Sequence, residues 1–384
     1  MSTKRIAYLL LDILLCVGLF FSCAKKSDST IRLGATFSLT GENASYGRDA
    51  QEGISLALDE INVKGGVSGK KIEVIFEDNR SDPKLGINII KKFVEVDKVP
   101  LVLGADASSV TLAMAPYANQ TKTILISPIS SSPLISGAGE FVFRTCPSDA
   151  FQSVVMAEWL ITGFNYKTAG VLYVNNAWGT GLKDTFVKEF EARGGKVIGV
   201  ESCNEDDNDF RTQLVNLKKA KAEALFVPTY SKAGARILKQ SKELHIDIPL
   251  FGGDVWGAPE LIEGAGDAAN GIRFTVPDKF QGNEYQEFAK KYQAKYGKEP
   301  DFNATSAYDL MNIVAQTIQT VLSKSESLTG DSFRKALQDI KDYQGATGTT
   351  TFDENGDVIG KPFTRKIILD GKVQEDTGQS SVAK

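Results

Sequence analysis

The sequence predicts an α/β protein with two doubly wound lobes, each built around a parallel sheet. Short apolar runs that are typical of buried strands alternate with longer segments in which apolar residues recur at helical spacing. This alternation occurs twice, in two stretches of similar length that meet at the segment FRTCPSD, residues 143–149. Strands that alternate with helices form parallel sheets covered on both faces, so two such series predict two lobes. A cleft between two lobes can close over a small molecule.

The first series is the more regular of the two. Its first helix is predicted from the apolar spacing of Ile54, Leu58 and Ile61. Pro83 favours the first turn of the next helix, where the missing N–H has no intrahelical partner in any case. The predicted strands are residues 31–37, 71–76 and 99–103, and the predicted helices are residues 48–63, 82–96 and 108–118.

The second series follows the same pattern, and we expect Asp149 to cap its first helix. Its predicted helices are residues 149–164, 180–193, 210–219 and 235–244, and its strands are 169–174, 197–201, 224–227 and 250–252. Three further helices are predicted at 284–296, 304–323 and 332–340. Late strands at 349–352 and 366–369 flank the turn DENGD, residues 353–357.

Hydroxyl residues follow two of the predicted strands in the first series. The apolar runs at 101–104 and 123–127 continue into ADASS and PISSSP. Ser108 is predicted to cap the helix that follows, and free N–H groups at a helix start together with hydroxyls favour a small anion such as a carboxylate. Ligands of doubly wound sheets bind at this carboxyl edge. The alternative, that these serines only cap helices and fill turns, stays open.

The start of the chain is typical of an exported protein. Lys4 and Arg5 precede an apolar stretch that ends at Ser22 and Cys23, so residues 1–22 are predicted to be a signal peptide. The segment FFSC resembles the lipobox of bacterial lipoproteins, with Cys23 diacylated and residues 23–30 as a tether. Phe20 and Phe21 depart from the usual pattern, so cleavage without lipidation is the alternative. A lipid anchor would place the protein in the periplasm or on the outer face of the cytoplasmic membrane.

Composition excludes several classes of function. The net charge is −4 without a basic cluster, which argues against nucleic acid, and His245 is the only histidine. No cysteine pair has the spacing of a metal site, so neither a metal, a cofactor nor a catalytic residue is predicted. The segment GGVSGKK, residues 65–71, lacks parts of a phosphate-binding loop. An oxidising compartment would permit a disulfide between Cys146 and Cys203, but sequence alone cannot place the two side chains together.

Beyond these patterns, the chain resembles the periplasmic leucine/isoleucine/valine-binding proteins, the substrate-binding subunits of branched-chain amino acid ABC transporters. The resemblance extends from IRLGATFSLTGENASYGRDAQEGISLALDEINVKGGVSGKKIEV near the start to TFDENGDV near the end. It implies the type I periplasmic binding fold, with three crossovers forming a hinge. One lobe would hold residues 31–144 and 277–350, and the other residues 145–276 and 351–384.

The resemblance also implies a binding site. The family's carboxylate-binding serine matches Ser108, and its proline-led loop matches PISSS, with a backbone group at Ile129 and a hydroxyl at Ser131. Its ammonium-binding pair matches Tyr230 and Asp254, where the family usually has glutamate in place of the aspartate. Serines and helix-start amides of one lobe would then hold a carboxylate, and the other lobe would hold an ammonium. Aromatic ligand contacts match Trp178 and Tyr46.

Specificity is expected to depend on Asp106 and Ala107, which lie where the family often contacts the ligand's side chain. A carboxylate facing the pocket would disfavour purely aliphatic ligands and favour a polar or cationic side chain, since burying an unpaired charge is costly. An ion pair between Asp106 and Arg48, or another residue of the protein, is the alternative. The expected ligand is an amino acid, with leucine, isoleucine and valine as first candidates.

The resemblance implies an ABC permease and ATPase as partners of a monomeric binding protein without enzymatic activity. An amide, urea or aromatic acid is the alternative ligand within the same fold. A sensor that presents its ligand to a receptor would use the same pocket, and an enzyme is the alternative from another class.

Overall fold

The structure is a computed structural model that describes residues 30–277, 280 and 282–377. The predicted signal peptide and Cys23 lie outside these residues. The described chain contains a five-stranded and a seven-stranded sheet, each at the centre of a lobe with its own hydrophobic core. The predicted α/β fold with two lobes is confirmed.

The first lobe has an all-parallel sheet with strand order β2-β1-β3-β4-β5. Its strands are β1 (Thr30–Phe37), β2 (Lys71–Asp78), β3 (Leu101–Gly104), β4 (Ile124–Ser127) and β5 (Val142–Arg144). The helices between them are α1 (Ala44–Val63), α2 (Pro83–Glu95) and α3 (Ser108–Thr121), followed by a 3₁₀ turn at Pro133–Ile135.

Helices cover both faces of this sheet, as the alternation in β3 shows. Leu101 and Leu103 pack in a core cluster that includes side chains of α1. Val102 points to the other face and packs with side chains of α2 and α3. Successive strand residues face opposite sides of a sheet, so a strand that is apolar throughout requires cover on both sides.

The second lobe has a mixed sheet with strand order β14-β13-β10-β9-β8-β6-β7. Its strands are β6 (Thr168–Val174), β7 (Lys196–Cys203), β8 (Ala224–Val227), β9 (Leu250–Gly252), β10 (Arg273–Pro277), β13 (Phe363–Leu369) and β14 (Lys372–Glu375). Its helices are α4 (Asp149–Glu158), α5 (Ala177–Ala192), α6 (Arg211–Ala220), α7 (Ser231–Glu243) and α8 (Pro259–Ala265), and its 3₁₀ turns are Asp254–Gly257 and Gly266–Ala269. Strand β13 is antiparallel to β10, and the edge strand β14 is antiparallel to β13, which the sequence pattern did not indicate.

The chain returns to the first lobe after β10 and leaves it again before β13. The returning part consists of α9 (Asn283–Tyr296), α10 (Phe302–Ser323), α11 (Gly330–Gln338), β11 (Tyr343–Gly345) and β12 (Gly348–Thr350). Together with the passage from β5 to α4, the described chain therefore passes between the lobes three times. The family resemblance implied that the chain leaves the first lobe for the last time at residue 350. Phe352 and Val358, however, still pack in the core of the first lobe.

Two predicted helix caps are wrong. Ser148, not Asp149, caps α4, because its Oγ accepts a hydrogen bond from the N–H of Ala150 at 3.3 Å. The helix ends at Glu158 and continues as a π-helical turn, Trp159–Gly163. Ala107 occupies the cap position of α3 without a side-chain hydrogen bond, and Ser108 is the first helical residue. Both displaced side chains take part in tertiary contacts instead.

Cys146 and Cys203 are buried free thiols, so the disulfide that the sequence left open is not formed. Burial raises the pKa of both thiols. Within the described ranges, the helices are too short or too polar for any of them to cross a bilayer.

A fully buried arginine joins the last passage of the chain to the loop after β4. Nε of Arg144 donates to Oδ1 of Asp357 at 2.7 Å, and Nη1 donates to the carbonyls of Ser131 and Ser132 at 2.9 and 2.8 Å. Nη2 donates to Oγ of Ser136 at 2.7 Å. The guanidinium therefore fixes the backbone that carries Ser131, one of the predicted site residues.

Replacing Asp357 with alanine leaves the Arg144 guanidinium buried without its counter-charge. We expect Asp357→Ala to lower the free energy of unfolding by about 3–5 kcal/mol, measured by urea denaturation. Asp331→Ala is the matched control, since its ion pair with Lys122 is more than half exposed on both sides. That control should cost under about 1 kcal/mol. Equal losses in the two variants would contradict this role for Arg144.

Candidate functional site

A cavity lies between the two lobes at the carboxyl edges of both sheets. Its empty space is about 520 Å³, part of it open to solvent. The residues that line it are Asn43, Tyr46, Ser81, Asp106, Ala107, Ser108, Ile129, Ser131, Trp178, Tyr230, Asp254, Val255, Phe302 and Asn303. All nine predicted ligand-binding residues are among them. Their individual roles toward a ligand stay predictions.

The fold explains why distant residues meet here. In the first lobe the lining residues follow the ends of β1, β2, β3 and β4, and in the second lobe they follow the ends of β6, β8 and β9. Parallel strands end at one edge of a sheet, so their following loops converge. Phe302 and Asn303 come from the start of α10, where the side chain of Asp301 caps the helix.

The two serine-rich loops of the first lobe are bonded to each other. Oγ of Ser127 and Oγ of Ser130 donate to the carbonyl of Ala105, the second at 2.8 Å. The N–H of Ser132 donates to Oγ of Ser108 at 3.2 Å. The hydroxyls after β3 and β4 therefore hold the loops in one arrangement. Ser108 has this contact in place of its predicted role as a helix cap.

Ser131 contacts the second lobe directly. Its Oγ donates to Oδ2 of Asp149 at 2.7 Å, and its carbonyl accepts from the N–H of Asp149 at 2.9 Å. A hydroxyl that already donates its proton can only accept from a ligand. Ser131 is thus suited to a ligand ammonium through its hydroxyl, which differs from the expected arrangement in which the serines of one lobe hold only a carboxylate.

Asp149 and Asp254 form an acidic pair in the second lobe. Oδ1 of each is shielded from solvent and has no hydrogen-bond partner within the part of the chain that the structure describes. Burial raises the pKa of Asp254 to about 6, and the neighbouring side-chain amide of Gln152 opposes this shift. Burial, and then the charge of Asp254, raise the pKa of Asp149 well above its ordinary value. A cation beside these carboxylates would oppose both shifts, because it favours the ionised form of each.

Aromatic side chains form one wall of the cavity. The rings of Trp178 and Tyr230 are stacked, with centroids 5.0 Å apart and an interplanar angle of 13°. The hydroxyl of Tyr230 accepts from Nδ2 of Asn176 at 3.0 Å, and Oδ1 of Asn176 caps α5. The side chain of Asn176 therefore fixes both the start of α5 and the ring of Tyr230. The Tyr230 side chain then has little rotamer freedom left to lose when a ligand binds.

Asp106 is 7% exposed and its contacts decide between the two sequence-based alternatives. Its Oδ1 accepts from the N–H of Ser38 at 2.9 Å and from Nδ2 of Asn79 at 3.4 Å. Arg48 donates instead to the carbonyl of Leu39, and no lysine or arginine among the described residues pairs with Asp106. Burial raises the pKa of Asp106, opposed by the hydrogen bond from Ser38. The ion pair with Arg48 is therefore wrong.

Several hydrogen bonds hold the lobes together across the cleft. The hydroxyl of Tyr46 and Oγ of Ser231 are 2.7 Å apart, and Nζ of Lys232 donates to the carbonyl of Glu42 at 2.8 Å. Nδ2 of Asn43 is 3.4 Å from Oε2 of Glu205. The lobes are thus in a closed arrangement over the cavity.

Five residues that line the cavity were not assigned to the site from sequence, namely Asn43, Ser81, Val255, Phe302 and Asn303. Asp149, which bonds to Ser131, and Glu205, which bonds to Asn43, lie behind the wall and were not assigned either. Ser81 follows the end of β2, so the same strand-end argument applied to every strand would have indicated it. Among the described residues, no cluster of His, Cys, Asp or Glu could hold a metal ion.

Comparisons with known proteins identify the class to which this site belongs. The family model described as periplasmic binding protein matches residues 30–365. The leucine-, isoleucine-, valine-, threonine- and alanine-binding protein of Pseudomonas aeruginosa is 28% identical over 346 residues, which are 90% of this chain and 91% of that protein.

Two crystal structures are similar over the same extent. A leucine-binding protein from Thermotoga maritima has a TM-score of 0.83 and 28% identity, covering 90% of this chain and 98% of that chain. A branched-chain amino acid transporter substrate-binding protein from Streptococcus pneumoniae, in complex with isoleucine, has a TM-score of 0.81, 28% identity and the same coverage. With its two-lobed fold and its interlobe cavity, the chain belongs to the periplasmic binding protein family, whose members bind solutes outside the cytoplasm and are not enzymes.

Proposed function

We propose that the protein binds an α-amino acid in the interlobe cavity and delivers it to an ABC permease. The observation that carries this proposal is the acidic pair of Asp149 and Asp254, whose Oδ1 atoms are shielded and unpartnered among the described residues. Such carboxylates are costly in an empty site and favourable beside an ammonium. The names of the relatives, which include binding proteins for leucine, isoleucine and valine, support the same ligand class.

The carboxylate of the ligand would lie at the start of α3. The first N–H groups of a helix have no intrahelical acceptors, and the dipole of the helix favours negative charge at this end. Ser108 is the first residue of this helix and lines the cavity. Since the N–H of Ile129 donates to Oγ of Ser127 at 3.1 Å, Ile129 would offer its carbonyl to the ammonium.

Delivery would depend on closing of the lobes. The bonds from Tyr46 to Ser231 and from Lys232 to Glu42 join the lobes across the cleft and would break if the lobes separated. A ligand held by both lobes favours that arrangement, because it loses contacts when the lobes separate. A permease could then distinguish loaded from empty protein by shape, and diacylation at Cys23 would keep the protein at the membrane surface.

Replacing Asp254 with asparagine tests the ammonium site. We expect Asp254→Asn to weaken binding of the preferred amino acid by about 2–5 kcal/mol, measured by titration calorimetry. The ligand-free variant should be as stable as the parent protein or more stable, because a buried unpaired charge has been removed. Asp184→Asn, at a carboxylate that is 63% exposed in the same lobe, should change neither quantity.

Two results of that experiment would contradict the proposal. One is binding only of compounds without an ammonium group, such as amides, urea or aromatic acids. The other is unchanged amino-acid affinity in Asp254→Asn. Either would mean that the acidic pair does not hold the ligand.

The raised pKa of Asp254 predicts opposite pH dependences for stability and binding. Between the ordinary value of 3.8 and about 6, the folded ligand-free protein holds a proton that the unfolded chain has lost, so this group's contribution to stability falls as pH rises. Ammonium binding needs the ionised form, so affinity should rise from about pH 5 to about pH 7. The pKa of Asp149 is also raised, so Asp149 should affect stability and binding in the same directions. The charge of Arg144 offsets part of that rise. The dependence of affinity on pH is measured by calorimetric titrations at several pH values. An unchanged dependence in Asp254→Asn would contradict the role of Asp254.

Lipidation of Cys23 can be tested separately. We expect the mature protein to begin at Cys23 and to carry acyl chains, measured by mass spectrometry of its N-terminal peptide. Cys23→Ala should abolish the modification and move the protein into the aqueous phase in detergent partitioning. Cys146→Ala, at a buried thiol, should leave acylation unchanged. An unmodified N-terminus in the parent protein would show cleavage without an anchor.

A further inference from the structure

The cavity has a second acidic centre, separate from the pair of Asp149 and Asp254. Asp106 lines the cavity from the first lobe, and Glu205 reaches the same region from the second lobe. Burial, and also the charge of Asp106, raise the pKa of Glu205. Asp106 and Glu205 are therefore close enough to interact electrostatically.

Glu205 is held in place by amide side chains. Its Oε1 accepts from Nδ2 of Asn176 at 2.6 Å, and its Oε2 is 3.4 Å from Nδ2 of Asn43, which lines the cavity. Asn176 also bonds to Tyr230. These contacts keep the carboxylate behind the wall beside Asp106. They provide hydrogen bonds, but they do not neutralise a negative charge.

The charge of the cavity is one-sided. Of the described residues that line it, none is a lysine, arginine or histidine. Acidic groups at or behind the wall are Asp106, Glu205, Asp149 and Asp254. Behind Ser131, the Arg144 guanidinium is paired with Asp357, and its charge also acts on Asp149. An amino acid with a neutral side chain has one ammonium group. That group would neutralise charge at Asp149 and Asp254, and no cation would then lie beside Asp106 and Glu205.

We propose that the ligand is a basic amino acid, such as lysine, ornithine or arginine, whose side-chain cation lies at Asp106 and Glu205. This inference rests on the proposed function, because it takes the α-ammonium to be held at Asp254. Apolar surfaces of Ala107, Val255 and Trp178 also line the cavity and suit the methylene groups of a long side chain.

Aliphatic side chains fit this environment poorly. Leucine, isoleucine or valine would cover Asp106 with methyl groups and remove water from a carboxylate that has a second carboxylate nearby. An acidic side chain would add a further negative charge.

The test compares lysine with norleucine, whose side chain has the same number of carbon atoms in a row and no cation. The dissociation constants of both ligands are measured by titration calorimetry for the purified parent protein and for Asp106→Asn. We expect lysine, ornithine or arginine to bind at least about tenfold more tightly than leucine. The ratio of norleucine to lysine dissociation constants should fall at least about tenfold in Asp106→Asn, because the cycle isolates the interaction between the cation and the carboxylate.

Asparagine can still accept the hydrogen bond from Ser38, so Asp106→Asn preserves the local loop contact. Glu205→Gln provides a second variant that removes the other charge, and the same ratio should fall there too. Asp331→Asn is the control, since its carboxylate pairs with Lys122 on the surface. It makes the same charge change and should leave the ratio unaltered.

The outcomes separate the two proposals. Tighter binding of leucine, isoleucine, valine or a neutral polar amino acid than of any basic one, with the ratio unaltered in Asp106→Asn and Glu205→Gln, would overturn the inference. The proposed function would stand in that case if Asp254→Asn still weakened amino-acid binding. Absence of binding by every amino acid would overturn the proposed function itself.

Discussion

The guanidinium of Arg144 is 0% exposed, and the organisation of the first lobe's part of the site follows from how its charge is satisfied. One side of it faces Asp357, and the other side donates to two consecutive carbonyls in the loop after β4. A buried charge needs both a counter-charge and full hydrogen bonding. The conformation of the serine-rich loop is therefore tied to the interior of the lobe, and Ser131 reaches Asp149 from a rigid base.

The alternation of strands and helices predicts the fold because a parallel sheet needs cover on both faces. The strand-end rule also places Ser108 and Ser131 correctly at the cleft, and the family resemblance adds Asp254 and Tyr230 from the other lobe. Asp149 could not be predicted in the same way. A serine or an aspartate at the start of a helix is an equally good cap, and only the tertiary structure shows that Ser148 caps α4 while Asp149 contacts Ser131. The partner of Arg144 lies 213 positions away, a separation at which one sequence carries no pairing signal.

The buried carboxylates of the site lower the stability of the ligand-free protein. Asp149 and Asp254 are close enough to affect each other, and their Oδ1 atoms lack partners among the described residues. Arrangements of this kind persist at binding sites because the ligand supplies the missing interactions. Asp106 differs, since Ser38 and Asn79 already bond to it and it also shapes the loop after β1. A single residue thus contributes both to the fold of the first lobe and to the charge of the cavity.

The first lobe is assembled from two parts of the chain that are far apart in sequence. Its sheet is complete at β5, but α10 covers one face of that sheet, and Asp357 lies only a few residues before β13. During synthesis from the N-terminus, a chain that has passed β5 has exposed apolar surface and an Arg144 without its counter-charge. The first lobe therefore cannot complete its core or its buried ion pair until nearly all of the chain has been synthesised.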